Sequence, residues 1–152
     1  MEEKIEEILI DACNKLYKKD SYLIKHRVSE RAIVFRLGIY IQELMNIDDK
    51  LNGYHLDNEY NRNMDEPKRI LNHQCGVVPD LIIHKRGSNQ YNIAIVECKT
   101  YWNNNNEKDI EKINYFINSN NEYNYSIGIS IIFMENQIEY IINNKSKTMI
   151  FE

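Results

Sequence analysis

Two short β-branched runs, Val77 to His84 (VVPDLIIH) and Asn92 to Lys99 (NIAIVECK), are separated by KRGSNQY, whose Gly-Ser-Asn signal turns a chain back on itself. They read as an antiparallel hairpin, and this hairpin constrains the chain more than any other segment. With the turn centred on Ser88-Asn89, residues whose numbers sum to about 177 face one another, which sets Asp80 opposite Glu97 with Cβ atoms ~5 Å apart. Glu97 and Lys99 stand two apart on one strand and share a face, while Cys98 turns to the other side. Two carboxylates and an ammonium therefore converge among residues otherwise suited to a buried strand.

The flanking elements are helices and further strands. Ile5, Ile8, Leu9, Ala12, Cys13 and Leu16 recur at steps of three and four, which predicts an amphipathic helix from Glu2 to Lys18 with a polar break at Asp20. Ser29 to Met45 repeats the pattern through Ile33, Val34, Leu37, Ile41 and Leu44, with Ser29 as N-cap. Tyr54 to Tyr60 reads as a half-buried strand. Glu107 to Asn118 is a third helix with Ile110, Ile113 and Ile117 on one face and Asn106 as its cap, followed by strands at Tyr125 to Met134 and Gln137 to Ile142. The last ten residues read as frayed or edge-like. The expected fold class is α/β (α+β), a mixed central sheet flanked by helices. At 152 residues it fits one domain, 1–152, with an N-terminal helix over 1–20 and a catalytic core over 29–135.

Electrostatics indicate what the acidic patch requires. Two carboxylates ~5 Å apart repel by ~3 kcal/mol at an effective dielectric near 20, so without a partner one of them tends to stay protonated. A bound divalent cation removes the conflict, and an oxygen-only ligand set favours Mg²⁺ or Mn²⁺ over zinc. Lys99 could lower the pKa of a bound water or stabilise charge on a phosphate. Glu30 stands on the apolar stripe of the second helix, where a carboxylate needs a partner; if that helix packs on the hairpin, Glu30 can reach the same cation. Its other reading is a helix N-terminal acid favoured by the dipole. Metal-assisted phosphodiester hydrolysis is the chemistry such a set can perform.

Pro79-Asp80 followed by Glu97-Cys98-Lys99 resembles the PD-(D/E)XK motif of the restriction-endonuclease-like nuclease superfamily. With SERAIVFRLGIYIQ, EYNRN, PDLIIHKRG and IVECK, the likeness extends to small stand-alone bacterial members, over roughly residues 29 to 135. The resemblance implies an αβββαβ core and a Mg²⁺-dependent nuclease, with DNA as the expected substrate. It implies that Asp80 and Glu97 ligate the metal, that Cys98 contributes its backbone carbonyl, that Lys99 assists the attacking water, and that Glu30 is an auxiliary ligand.

The net charge of −4 argues against a general polyanion binder, yet the charge is uneven: Tyr60 to Thr100 carries six basic against four acidic residues. Arg62, Lys68, Arg69, Lys85 and Arg86 are candidate phosphate contacts, Arg62 first among them, with Asn61 positioning it; the bland reading is a set of solvated turn residues. His73, Cys75, His84 and Cys98 match no common zinc spacing. Three widely spaced cysteines and an opening MEEKIEEILI without a secretory apolar core lead us to expect a cytoplasmic protein, and no run approaches the ~20 apolar residues of a membrane helix. A homodimer is compatible with so small a core, which would gain DNA-binding surface by pairing. The competing reading is a catalytically silent nuclease-fold interaction protein, an immunity or regulatory subunit.

Overall fold

A computed structural model describes residues 1–60, 62–64, 66–67 and 78–151. Asn61, Lys68, Arg69, His73, Cys75 and Val77 of the sequence reading lie outside them.

Helix α1 spans Glu2–Lys25 and α2 spans Glu30–Asn46. The stripe from Ile5 to Leu16 is buried, as its spacing requires, and Ser29 caps α2 by accepting the Ala32 N–H at 3.3 Å. The break expected at Asp20 is a kink (φ −129, ψ 22) beyond which α1 continues to Lys25. The Asp20 carboxylate accepts from Arg36 Nε at 3.1 Å and from the Tyr40 hydroxyl, so the polar residue is held against α2 instead of ending its own helix. The ion pairs Lys15–Glu43 and Asp20–Arg36 show that the two helices run antiparallel. Arg27, at φ 49, makes the left-handed turn between them.

Among the described residues eight strands follow: β1 (His55–Asn58), β2 (Arg62–Asn63), β3 (Glu66–Pro67), β4 (Leu81–His84), β5 (Ala94–Thr100), β6 (Ile127–Phe133), β7 (Gln137–Ile142) and β8 (Lys145–Ile150), with helix α3 (Glu107–Ile117) between β5 and β6. Six of them form one mixed sheet in the order β1-β4-β5-β6-β7-β8, in which only β5 and β6 are parallel, as the intervening helix requires. Strands β2 and β3 pair as a separate ribbon. The described chain is thus α+β, with three helices and a six-stranded mixed sheet. No described helix is long and apolar enough to cross a membrane.

Strands β4 and β5 pair as Leu81↔Val96, Ile82↔Ile95 and Ile83↔Ala94, the register expected from a turn at Ser88-Asn89. Gly87, at φ 78, supplies the left-handed step of that turn. One sheet face, carrying Leu81, Ile83, Val96 and Cys98, packs on α1 and α2; the other, with Ile82 and Ile95, packs on Phe116 of α3 and on Tyr123 and Tyr125. Strands covered on both faces read as near-continuous apolar runs. Burying each of their Val and Ile side chains contributes about 1.5–3 kcal/mol, a gain that an acid in such a strand forfeits.

Helix α3 buries Asp109, Ile113 and Phe116, while Ile110 and Ile117 are only partly covered. Asn106 occupies its N-cap position without a side-chain cap bond, and Asn105 Oδ1 accepts the Glu107 N–H instead. The helix sits so close to β6 that a Cβ at Gly128 would overlap Cγ2 of Ile113 and lie 3.0 Å from Cγ2 of Ile117. The last ten residues, read as frayed or edge-like, hold the edge strand β8, paired with β7 along its whole length through a turn in which Asn143 and Asn144 take φ 44 and 67. This terminal hairpin closes on α1: the Tyr140 hydroxyl donates to Glu6 at 2.7 Å, and the Tyr17 hydroxyl donates to the Met134 carbonyl at 2.6 Å.

Candidate active site

Asp80 is the residue just before β4. Its carbonyl accepts from Asn58 Nδ2 at 2.8 Å and from the Glu59 N–H at 3.1 Å, which ties it to the end of β1. Its carboxylate crosses to β5, where Oδ2 accepts the Cys98 N–H at 2.7 Å. The N–H is thus the Cys98 backbone group in contact with Asp80, and the thiol is buried in the core on the opposite face. One further step along the β4–β5 register sets Asp80 opposite Glu97. Burial, the largest influence, pushes the Asp80 carboxyl above its usual range, against the opposing pull of the Cys98 N–H.

Glu97 is 2% exposed on a strand covered from both sides. Desolvation, and after it the charge of Asp80, raise its pKa well above the ordinary glutamate value. Its Oε1 is fully buried and lies 2.9 Å from the ammonium of Lys112 on α3; apart from that ion pair no hydrogen-bond partner reaches it. Lys99 reaches the same helix, with Nζ 3.5 Å from Asp109 Oδ2. Burial, the largest single influence, disfavours the Lys99 ammonium, but Asp109, Glu30 and Asp80 together outweigh it and raise its pKa, so Lys99 is held as a cation. Asp109 and Lys112, which the sequence reading did not single out, are therefore the partners of its Lys99 and Glu97. The available signal was Asp109 itself, an acid at i on the stripe that continues with Ile113 and Phe116.

Glu30 joins this cluster. It lines a small cleft of about 80 Å³ with Arg31, Val34, Asn58, Glu59 and Asp80. Burial raises its pKa, Lys99 opposes that rise, and Asp80 and Asp109 add to it. Four carboxyls and two ammonium groups, drawn from α2, β4, β5 and α3, thus interact at one end of the hairpin. Among the described residues no three His, Cys, Asp or Glu side chains converge closely enough to cage an ion by themselves.

Two of the phosphate candidates, Lys85 and Arg86, lie at the other end of β4. Lys85 stacks its ammonium over the rings of Tyr54 and Tyr91, at 4.8 and 4.5 Å from their centroids. Arg86 grips Asp57 through Nε at 2.9 Å and Nη2 at 2.5 Å, and His84 Nε2 lies 2.7 Å from the same carboxylate. Arg86, the leading influence, holds the Asp57 carboxyl below its usual range. Both basic residues follow β4, whereas Asp80 precedes it; five residues of strand put them about 17 Å from the acids. Arg62 is exposed on β2, and Asn61 is outside the described residues.

The chain matches no protein-family model, no curated protein and no solved structure.

Proposed function

We propose that this chain is a metal-dependent nuclease that hydrolyses phosphodiester bonds of DNA, built on a restriction-endonuclease-like αβββαβ core. The observation that carries the proposal is the opposed pair Asp80 and Glu97, an acid pair desolvated at matched positions of an apolar hairpin with Lys99 beside it. The order α2, β1, β4, β5, α3, β6, with β5 and β6 parallel, agrees with that core. So does the likeness of Pro79-Asp80 and Glu97-Cys98-Lys99 to the PD-(D/E)XK motif.

The donor set suits Mg²⁺ or Mn²⁺. It is made of oxygens, Glu97 Oε1 is buried with only an ammonium for company, and the carboxyls of Glu30, Asp80 and Glu97 are all held above their usual range. Mg²⁺ is commonly bound by one or two carboxylates with water and substrate phosphate completing the shell, so a protein cage of three is not required. Asp80 and Glu97 would hold the ion, with the Cys98 carbonyl and Glu30 as further ligands. Such an ion supplies Lewis acidity toward a phosphoryl oxygen. Lys99, firmly protonated and anchored by Asp109, offers N–H donors to charge developing on the phosphate; as a cation it does not serve as a base. Asp109 orients that ammonium, and the cleft between Glu30 and Asp80 admits the substrate edge.

One observation favours the second reading, a silent interaction protein of the same fold: Lys112 already neutralises Glu97 from within. The two readings separate on incubation with linear, nicked and single-stranded DNA in Mg²⁺ or Mn²⁺. The nuclease reading expects cleavage that EDTA abolishes and that falls about 10²-fold or more in Lys99→Ala. Equal activity in wild type and variant refutes it. In this reading the protein works in the cytoplasm, with DNA as its partner.

A further inference from the structure

An enzyme that brings DNA to four carboxyls must offset their repulsion at the rim of the site, and Lys85 and Arg86 are at the wrong end of the hairpin to do so. Two arginines stand at the end of α2 that carries Glu30. Arg31, in the first turn of α2, lines the cleft that contains Glu30 and Asp80. Its side chain is 87% exposed, and its ion pair to Glu59 at 3.5 Å is of the solvent-facing kind that opens at little cost. Arg27 lies three residues before Glu30, in the turn between α1 and α2, with its guanidinium 5.4 Å from the ring centroid of Tyr101, two residues beyond Lys99 on the chain. A cation over a ring face keeps its edge donors for another ligand.

The backbone supports a built rim. Arg27 and Glu59 take φ 49 and 50, a left-handed conformation uncommon for side chains of this kind, Arg27 in the turn that leads into α2 and Glu59 on the cleft itself. By contrast, Arg86 is locked onto both oxygens of a mostly buried Asp57.

We infer that Arg27 and Arg31 form the phosphate grip of this protein, holding the backbone of a nucleic-acid strand on either side of the bond presented to Asp80, Glu97 and Lys99. The inference rests on the nuclease reading and replaces the hairpin-turn cations as the binding surface. A guanidinium fork matches two phosphate oxygens, so each arginine fixes one phosphate and with it the position of the strand over the acids.

The test uses the full chain carrying Glu97→Gln, which prevents turnover, and a fluorescein-labelled DNA whose anisotropy is followed with Mg²⁺ over a range of salt. Adding Arg27→Ala or Arg31→Ala is expected to weaken binding about fivefold or more each and to reduce the slope of log K against log salt by about 1 each. Adding Lys85→Ala, at the far end of the hairpin, should leave affinity and slope unchanged. Arg31→Gln, at so exposed a position, keeps the fold and should reproduce the loss. A parent that binds DNA while both arginine variants keep its affinity and slope overturns the grip alone. A parent that binds no DNA overturns the nuclease reading and the grip with it.

Discussion

Replacing Lys112 by Met leaves Glu97, 2% exposed, without the ammonium that stands 2.9 Å from its Oε1. The lysine side chain is itself only 19% exposed, so solvent screens the pair weakly. Removing one member of a buried ion pair costs about 3–5 kcal/mol when the survivor stays charged. Glu97 has an escape, since it can take up a proton, and because its folded pKa is already raised that uptake is cheap in acid and costs about 1.4 kcal/mol per pH unit above it. The expected loss in Lys112→Met is therefore about 3 kcal/mol near pH 8 and clearly less near pH 5. Near pH 8 that corresponds to a fall in melting temperature of roughly 6–12 °C for a chain of this size. Urea and thermal unfolding in EDTA of wild type, Lys112→Met, Glu97→Gln and the double variant measure it. The double variant should lose less than the two single losses combined, because each change removes the need for the other residue. A loss equal at both pH values, or additive losses, refutes the account of Glu97 as a buried acid neutralised by Lys112.

Further outcomes follow from the same geometry. A carboxyl with a raised folded pKa holds a proton that the unfolded chain releases, so its stabilising contribution is present in acid and lost as pH rises through the folded value; Glu97→Gln should therefore flatten the decline of metal-free stability as pH rises above the ordinary glutamate range. Asp57 runs the other way: its pKa is lowered by Arg86, so stability gained above the unfolded value is lost as pH falls, and Arg86→Ala should flatten the acid limb of the same titration. Gly128→Ala should cost about 1–3 kcal/mol in urea unfolding, because the added methyl meets the branched carbons of Ile113 and Ile117 rather than a flexible tip; an unchanged midpoint would show that α3 can lift off β6.

The parts of the fold legible in the sequence are those governed by local rules. The β4–β5 register followed from one turn signal and a two-residue period, and it located the acids correctly. Strand β8 escaped because KSKTMI on a sheet edge shows no apolar alternation; its signal was Asn143-Asn144, a pair suited to two consecutive left-handed residues. Lys112 and Asp109 escaped because a charged residue on a helix ordinarily faces water, and only the packing of α3 onto β5 turns these two inward. Arg86 drew attention by lying near Asp80 in sequence, whereas strand geometry carries it away and the turn between α1 and α2 brings Arg27 close to the residues that follow Lys99.

Helix α1 meets its partners at the far end of the chain, with Glu6 and Tyr140 separated by 134 positions. Chain ends joined in this way give the topology a high proportion of non-local contacts, which slows folding. During synthesis α1 can pack on α2 early, whereas Glu6 and Tyr17 wait for their partners until the segment from Met134 to β8 has left the ribosome. A protein shortened by its last hairpin would keep the acids of the hairpin β4–β5 and still lose the Tyr140 and Lys147 partners that hold Glu6 of its first helix.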